Sequence, residues 1–417
     1  MKENLRREAD QIIRTSIRAV LPDIAVREAL ADLECSGRLL LLAVGKAAWQ
    51  MAAEACRVLG ERIHQGMVIT KYGHVKGDLP RLLCREAGHP LPDAGSFGAT
   101  EEALAMTENL SAEDVVLFLL SGGGSALFEK PLLPKEELTD INRQLLACGA
   151  DIREINIIRK RLSAVKGGRF ALHCAPARIK AVILSDVVGN QPDMIASGPV
   201  WGDSSTREEA LAIVEKYGLS LSEEAMRWLA VNPPRQVINV KAQITGSVSA
   251  LCRAAAGACE ELGYEALIMT EALSGEAKTA GEWLGTLARS RSGGGKNLAL
   301  IAGGETVVKL TGSGLGGRNQ ELALAAAQAI RGQPHTALFS VGSDGTDGPT
   351  DAAGGYVDGD TAELLEAHGL SISQVLADND SYHALKMAGG LIITGPTGTN
   401  VNDVAVALVK GAPASEK

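Results

Sequence analysis

Three stretches of this chain combine residue types that handle negatively charged ligands. In LLLLAVGKAAWQ, Lys46 follows Gly45 where an apolar run passes into a helical pattern. That is the mouth at which open α/β sheets bind ligands, and a lysine there is a point charge for an anion; a lysine without a ligand would only snorkel to the surface. In VVLFLLSGGGSALF, Ser121, Gly122, Gly123, Gly124 and Ser125 follow a second apolar run. Successive glycine N–H groups form an anion nest, although this run lacks the lysine of a GxxxxGK[ST] loop. In TVVKLTGSGLGGRNQELAL, Gly312, Gly314, Gly316 and Gly317 contain a Gly-x-Gly-x-x-Gly, and Arg318 stands directly behind the last of them.

The third stretch has a strand before it and a helix after it, the minimum context for a dinucleotide fingerprint. A dinucleotide fold also calls for an acidic residue at the next strand end, about twenty residues on. Here the next such carboxylate is Asp344, further along and inside its own cluster, SDGTDGPTD. A guanidinium at a helix start, beside free N–H groups, concentrates positive potential on one anion. That favours a phosphoryl group or a carboxylate, with a plain strand-to-helix turn as the alternative.

Carboxylates form a second constellation. LSDVVGNQPDMIASGPV places Asp186 at a strand end and Asp193 beyond it, and VGSDGTDGPTDAAGG carries Asp344, Asp347 and Asp351. Sparse oxygen ligands at strand ends, completed by water or phosphate, are what Mg²⁺ uses in phosphoryl-transfer sites, whereas Asp in turns also caps nearby N–H groups. GPTGTNVND adds Thr399, Asn400 and Asp403, as caps or ligand contacts. Cationic and acidic loops together imply a substrate of spread negative charge plus a divalent metal, and phosphoryl transfer needs both.

The elements that must position these loops are aliphatic runs, each closed by a glycine-rich turn that opens a helix: 38–44, 113–120, 179–187, 296–304, 335–345 and 390–395. The fold class is therefore α/β, with strands apolar on both faces and helices covering them. A chain of 417 residues favours two domains. The break at AVNPPRQVIN sets the expected boundary, giving domains 1–232 and 233–417. With a formal net charge of -9, a broad electrostatic partnership with nucleic acid or anionic lipid is not expected. The first twenty residues scatter charge without an apolar core, no run approaches a membrane span, and the seven cysteines form no CxxC pair. A cytoplasmic location with reduced thiols is the simplest expectation, with Cys252 and Cys259 as small buried hydrophobes. No HExxH or comparable spacing points to zinc.

Over essentially its whole length the sequence resembles the glycerate 2-kinase family, whose C-terminal part is the MOFRL domain. AVGKAA, GHPLPD, SGGGSAL, LSDVVGNQPDMIASGPV, GGETVVKLTGSGLGGRNQE, GSDGTDGPTDAAG and GPTGTNVND carry the resemblance. It implies two α/β domains with mainly parallel sheets, an active site in the interdomain cleft, and transfer of phosphate from ATP, with Mg²⁺, to the 2-hydroxyl of D-glycerate. The alternative is an NAD(P)H-dependent hydroxypyruvate reductase, a name given to similar proteins. Mapped onto this chain, the expected catalytic residues are Lys46, Arg318 and Asp186. Nucleotide phosphates fall to Ser121, Gly122, Gly123, Gly124, Ser125, Gly314, Gly316 and Gly317, and metal to Asp193, Asp344 and Asp347. Asn190 stands where relatives often have Asp, which moves the metal preference away from it. Which carboxylate would take the hydroxyl proton stays open, as does oligomeric state, with a homodimer among the expectations.

Overall fold

The computed structural model describes residues 2–185 and 192–411. Asp186 and Asn190 lie outside the described residues. The chain forms two compact units, one of Ala25–Thr245 and one of Met1–Ile24 with Gly246–Lys417.

The first unit holds β1 (Leu39–Val44), β2 (Ile63–Lys71), β3 (Leu82–Ala87), β4 (Val115–Leu120), β5 (Arg178–Leu184) and β6 (Val240–Gly246), in the spatial order β3-β2-β1-β4-β5-β6. Every pairing from β3 across to β5 is parallel. β1 and β4 are buried along their whole length. Leu40, Leu42 and Val44 face one core, with Ala99 and Phe170, while Leu39, Leu41 and Ala43 face the other, with Met51 and Ala55 of the helix Ala48–Leu59. Alternation with a period of two splits one apolar run between two helical layers, so an uninterrupted hydrophobic strand results.

The second unit holds β7 (Glu265–Leu273), β8 (Leu298–Gly304), β9 (Thr336–Gly342), β10 (Gly354–Asp358), β11 (Leu391–Ile392) and β12 (Asp403–Val409), ordered β11-β10-β9-β12-β8-β7. β7, β8, β9 and β11 run the same way, but β12 and β10 run against them. Parallel pairing is thus confined to β7 with β8, and the other four pairings are antiparallel. Apolar runs buried on both faces look alike in either direction, so direction was not readable from them.

The boundary also falls elsewhere than at 232/233. Pro233 and Pro234 sit in a connection inside the first unit, where the Asp203 N–H donates to the Pro234 carbonyl, and the chain then supplies edge strand β6. The N-terminal helix Lys2–Ala19 belongs to the second unit. Its Leu5, Ile12 and Ile13 pack with Val248, Leu251 and Val406, and Glu8 takes hydrogen bonds from Tyr264 (2.6 Å) and Lys410 (2.7 Å). Cys252 and Cys259 lie buried in the same core. None of the described helices is long and apolar enough to cross a membrane.

Candidate active site

In the first sheet the strand order turns between β1 and β4, and ligands of open α/β sheets bind at the carboxyl ends of strands at such a switch point. Gly45 follows β1 with φ of +122°; a Cβ there would fall 2.2 Å from Ser121 Oγ and 2.5 Å from its carbonyl oxygen. Only glycine allows that approach, which lets the loops after β1 and β4 be laced together. The Ser121 N–H donates to the Val44 carbonyl (2.9 Å), the Lys46 N–H to the Gly122 carbonyl (2.9 Å) and the Ala47 N–H to Ser121 Oγ (3.0 Å). Ser121 is therefore a brace, with its hydroxyl committed to the protein. Gly123 is left-handed, and a short helix, Gly124–Leu127, follows. Among the described residues, no acceptor takes the N–H groups of Gly122, Gly123, Gly124 or Ser125, and Lys46 makes no ion pair.

His89, in the loop after β3, leans over this nest. Its Cδ2 and Nε2 lie 3.0 and 3.2 Å from the point where Gly123 would carry a Cβ, and Lys46 Cγ lies 3.4 Å from the same point. Burial, then the charges of Lys46, Lys71 and His74, push His89 below the usual histidine range. The His74 Nδ1 is 3.0 Å from the Lys46 carbonyl oxygen, which fixes the lysine backbone. On the other flank the Ser125 and Ser197 hydroxyls are 3.0 Å apart, and Ser197 Oγ donates to Asn156 Oδ1 (2.8 Å). Ala196, Ser197 and Gly198 are all left-handed, with φ of 50°, 59° and 65°. For the two non-glycine residues that costs about 1–2 kcal/mol each, strain that clusters at functional sites. Asp193 accepts from the buried Lys160 Nζ (2.9 Å), which also lies 3.6 Å from Asp203.

The Gly-x-Gly-x-x-Gly loop of the second unit is built differently. Backbone N–H groups donate from Thr311 and Gly312 to Asn379 Oδ1 (2.7 and 2.9 Å), from Ser313 to Asp378 Oδ1 (3.0 Å), from Gly314 to the Asp378 carbonyl (2.8 Å) and from Leu315 to Asp380 Oδ1 (3.0 Å). A Cβ on Gly314 would meet Asp380 and Asp378 at 2.5–2.6 Å, one on Gly316 the Ser381 hydroxyl at 2.2 Å, and one on Gly317 the Asp347 carboxyl at 2.3 Å. The expected phosphate contact at Gly314 is corrected accordingly, since its N–H is spent on the Asp378 carbonyl, while Gly316 and Gly317 admit the side chains of Ser381 and Asp347 beside their Cα atoms.

Asp347 is likewise corrected as a metal ligand. It takes the backbone N–H groups of Asn319 (3.1 Å) and Gln320 (2.9 Å), plus both of their side-chain amides, and so caps the helix Arg318–Ala329. Burial raises its pKa against the pull of those donors. Arg318 grips Asp403 with Nε (2.6 Å) and Nη2 (3.1 Å) and reaches Glu305 (3.2 Å). Burial opposes its charge, but the Asp403 bonds prevail and hold the guanidinium protonated. Asp344 accepts from the Thr346 N–H (2.9 Å), and Asp351 from the Tyr382 hydroxyl (2.8 Å). Thr399 donates to the Val20 carbonyl (2.8 Å), and Asp403 opens β12, so neither caps a helix.

The carboxyl edge of the first sheet thus brings together Lys46 and the 121–125 loop, as expected, and adds His89, Asn156, Lys160 and Ser197. His89 stands in the quoted GHPLPD run, and its signal was a histidine just beyond a strand. The other three follow from no local pattern. A nest of unused N–H groups beside an unpaired ammonium can hold a tetrahedral anion.

Two family models match the chain, "Domain of unknown function (DUF4147)" over residues 8–230 and "MOFRL family" over residues 298–403. A D-glycerate 2-kinase of Thermotoga maritima is 49% identical over 413 residues, 98% of this chain and 99% of that protein. A protein of Agrobacterium vitis provisionally named hydroxypyruvate reductase is 37% identical over 411 residues, 96% of this chain and 93% of that one. The crystal structure of a glycerate kinase from Thermotoga maritima matches with a TM-score of 0.93 at 48% identity, covering 98% of this chain and all of that one.

Proposed function

The chain belongs to the glycerate 2-kinase family, and from that membership we infer that it transfers the γ-phosphoryl group of ATP to the 2-hydroxyl of D-glycerate, giving 2-phosphoglycerate and ADP. The observation that carries the site assignment is the contrast between the open nest at 122–125, beside Lys46, and the filled loop at 311–315.

Lys46 and the nest N–H groups take phosphoryl oxygens and neutralise charge as it builds in the transition state; they are oriented before the substrate arrives, so no reorganisation opposes them. Ser121 fixes the nest, and the Ser125, Ser197 and Asn156 chain holds its far end. Arg318, kept charged by Asp403, is the guanidinium assigned to developing charge, with part of its donor fork still available. The nucleotide would bring Mg²⁺. Among the described residues no three His, Cys, Asp or Glu side chains converge as a metal site, but a phosphate-borne Mg²⁺ needs only one or two carboxylates. Asp193 in the first unit and Asp344 in the second each present one carboxylate oxygen with no hydrogen bond among the described residues, so either one alone meets that demand. When bound, the ion supplies charge neutralisation at the phosphates.

The reductase reading requires the Gly-x-Gly-x-x-Gly to cradle a pyrophosphate, and the N–H groups of its residues 312–315 are already spent on residues 378–380. Incubation with D-glycerate, ATP and Mg²⁺, followed by ³¹P NMR, should yield 2-phosphoglycerate. Steady NADH loss with hydroxypyruvate and no phosphoryl transfer would reverse the assignment.

A further inference from the structure

We propose that His89 is the general base that removes the proton from the glycerate 2-hydroxyl, an assignment that rests on the kinase reading above. The 2-hydroxyl oxygen forms a bond to the γ-phosphorus as the bond from that phosphorus to the β,γ-bridging oxygen breaks. The electron pair leaves with ADP, and the hydroxyl proton passes to His89 Nε2 and later to solvent.

Three observations converge on this ring. First, the ring lies against the anion nest: Nε2 is 3.2 Å, and the Lys46 stem at Cγ 3.4 Å, from the point where Gly123 would carry a Cβ, so the imidazole and the lysine stem both border the nest at the switch point. Second, among the described residues the His89 ring makes no hydrogen bond to protein, and the groups that face it are Lys46 from the loop after β1 and Lys71 and His74 from the end of β2. Burial, and then those cations, hold the imidazole below the usual histidine range, which favours the neutral ring with a lone pair to offer, as a general base requires. Third, the described carboxylates nearest this ring each already take a proton donor of the protein. Glu86 accepts from the Val75 N–H (3.0 Å), Asp93 caps the helix Ala94–Met106 and accepts from the Tyr72 hydroxyl (2.8 Å), and Asp193 is paired with Lys160.

The test uses the full chain and compares wild type, His89→Gln and His89→Ala over a pH series, with thermal melts as a check on folding. Wild-type kcat should fall as the pH drops below the ordinary histidine range. His89→Gln should lower kcat about 10²-fold, with KM for D-glycerate and ATP almost unchanged, and should abolish that acid limb. Added imidazole should restore turnover to His89→Ala, which a purely structural ring would not allow. Retained kcat and acid limb in folded His89→Gln, or a change in KM alone, overturns the proposal while leaving the kinase reading intact. If His89→Ala melts below the assay temperature, the pH profile of His89→Gln decides. A wild-type protein that moves no phosphate to D-glycerate overturns the kinase reading and this proposal with it.

Discussion

Two glycine-rich loops in this protein follow apolar strands and lead into helices, and they have opposite fates. At 121–125 the backbone N–H groups from Gly122 to Ser125 point at no acceptor among the described residues, and an unpaired lysine stands beside them. At 311–315 every N–H donates to Asp378, Asn379 or Asp380, and the following helix is capped by Asp347. In both loops glycine lets the protein's own side chains approach, Ala196 at Gly124 and Asp380 at Gly314, and the difference lies in whether those neighbours take the N–H groups. Matching a fingerprint therefore says that backbone N–H groups are accessible, and the neighbouring carboxylates decide to whom.

The comparison breaks most visibly at its two cations. Arg318→Met leaves Asp403, whose side chain is only 9% exposed, without its bidentate partner. Removing one member of a buried pair costs about 3–5 kcal/mol, so urea or thermal unfolding should show the second unit strongly destabilised. Lys46→Met removes a charge with no protein partner among the described residues and should leave the melt nearly unchanged. Its cost should appear in turnover, a loss of about 10²- to 10³-fold, like that of one oxyanion donor. An unstable Lys46→Met, or an Arg318→Met that melts like wild type, would break this contrast between a free cation and a paired one.

Much of this was legible in the chain, and the limits have physical causes. RLLLLAV and EDVVLFLL fixed β1 and β4 because such runs fit only strands covered on both faces, and the loops after them had to emerge at one sheet edge. The direction of β12 and β10 was hidden, since nothing in DVAVALV distinguishes antiparallel from parallel pairing. Asp347 looked like a ligand because capping a helix that begins 29 residues earlier is a tertiary fact. Likewise LADNDSYH shows no sign that its Asp378, Asn379 and Asp380 fill a distant loop.

A smaller effect separates the glycines. Gly314→Ala drives a methyl group to within 2.5–2.6 Å of Asp380 and the Asp378 backbone, overpacking worth about 1–3 kcal/mol. Kinase activity per folded molecule should be largely kept, because the loop holds no substrate. A Gly314→Ala protein that melts like wild type but has lost ATP affinity would show that the filled loop opens to bind nucleotide.

The finest test needs no substitution, because each loop carries its own histidine. His89 lies against the open nest, and His383 Nδ1 is 2.6 Å from Asp380 Oδ1 at the filled one. An oxyanion seated at 122–125 would face the His89 ring and favour its charged form, so saturating inorganic phosphate should raise the His89 titration midpoint by about one pH unit or more. The sign is fixed: phosphate adds negative charge next to a ring now held down by burial and by Lys46, Lys71 and His74. Under the same conditions the His383 resonances should not move, because the donors around Asp380 are already taken. Proton NMR of the imidazole signals, with and without phosphate, reads both rings in one sample. If His383 responds and His89 does not, the anion has gone to the Gly-x-Gly-x-x-Gly loop and displaced the protein's own carboxylates, and the open nest must serve another purpose.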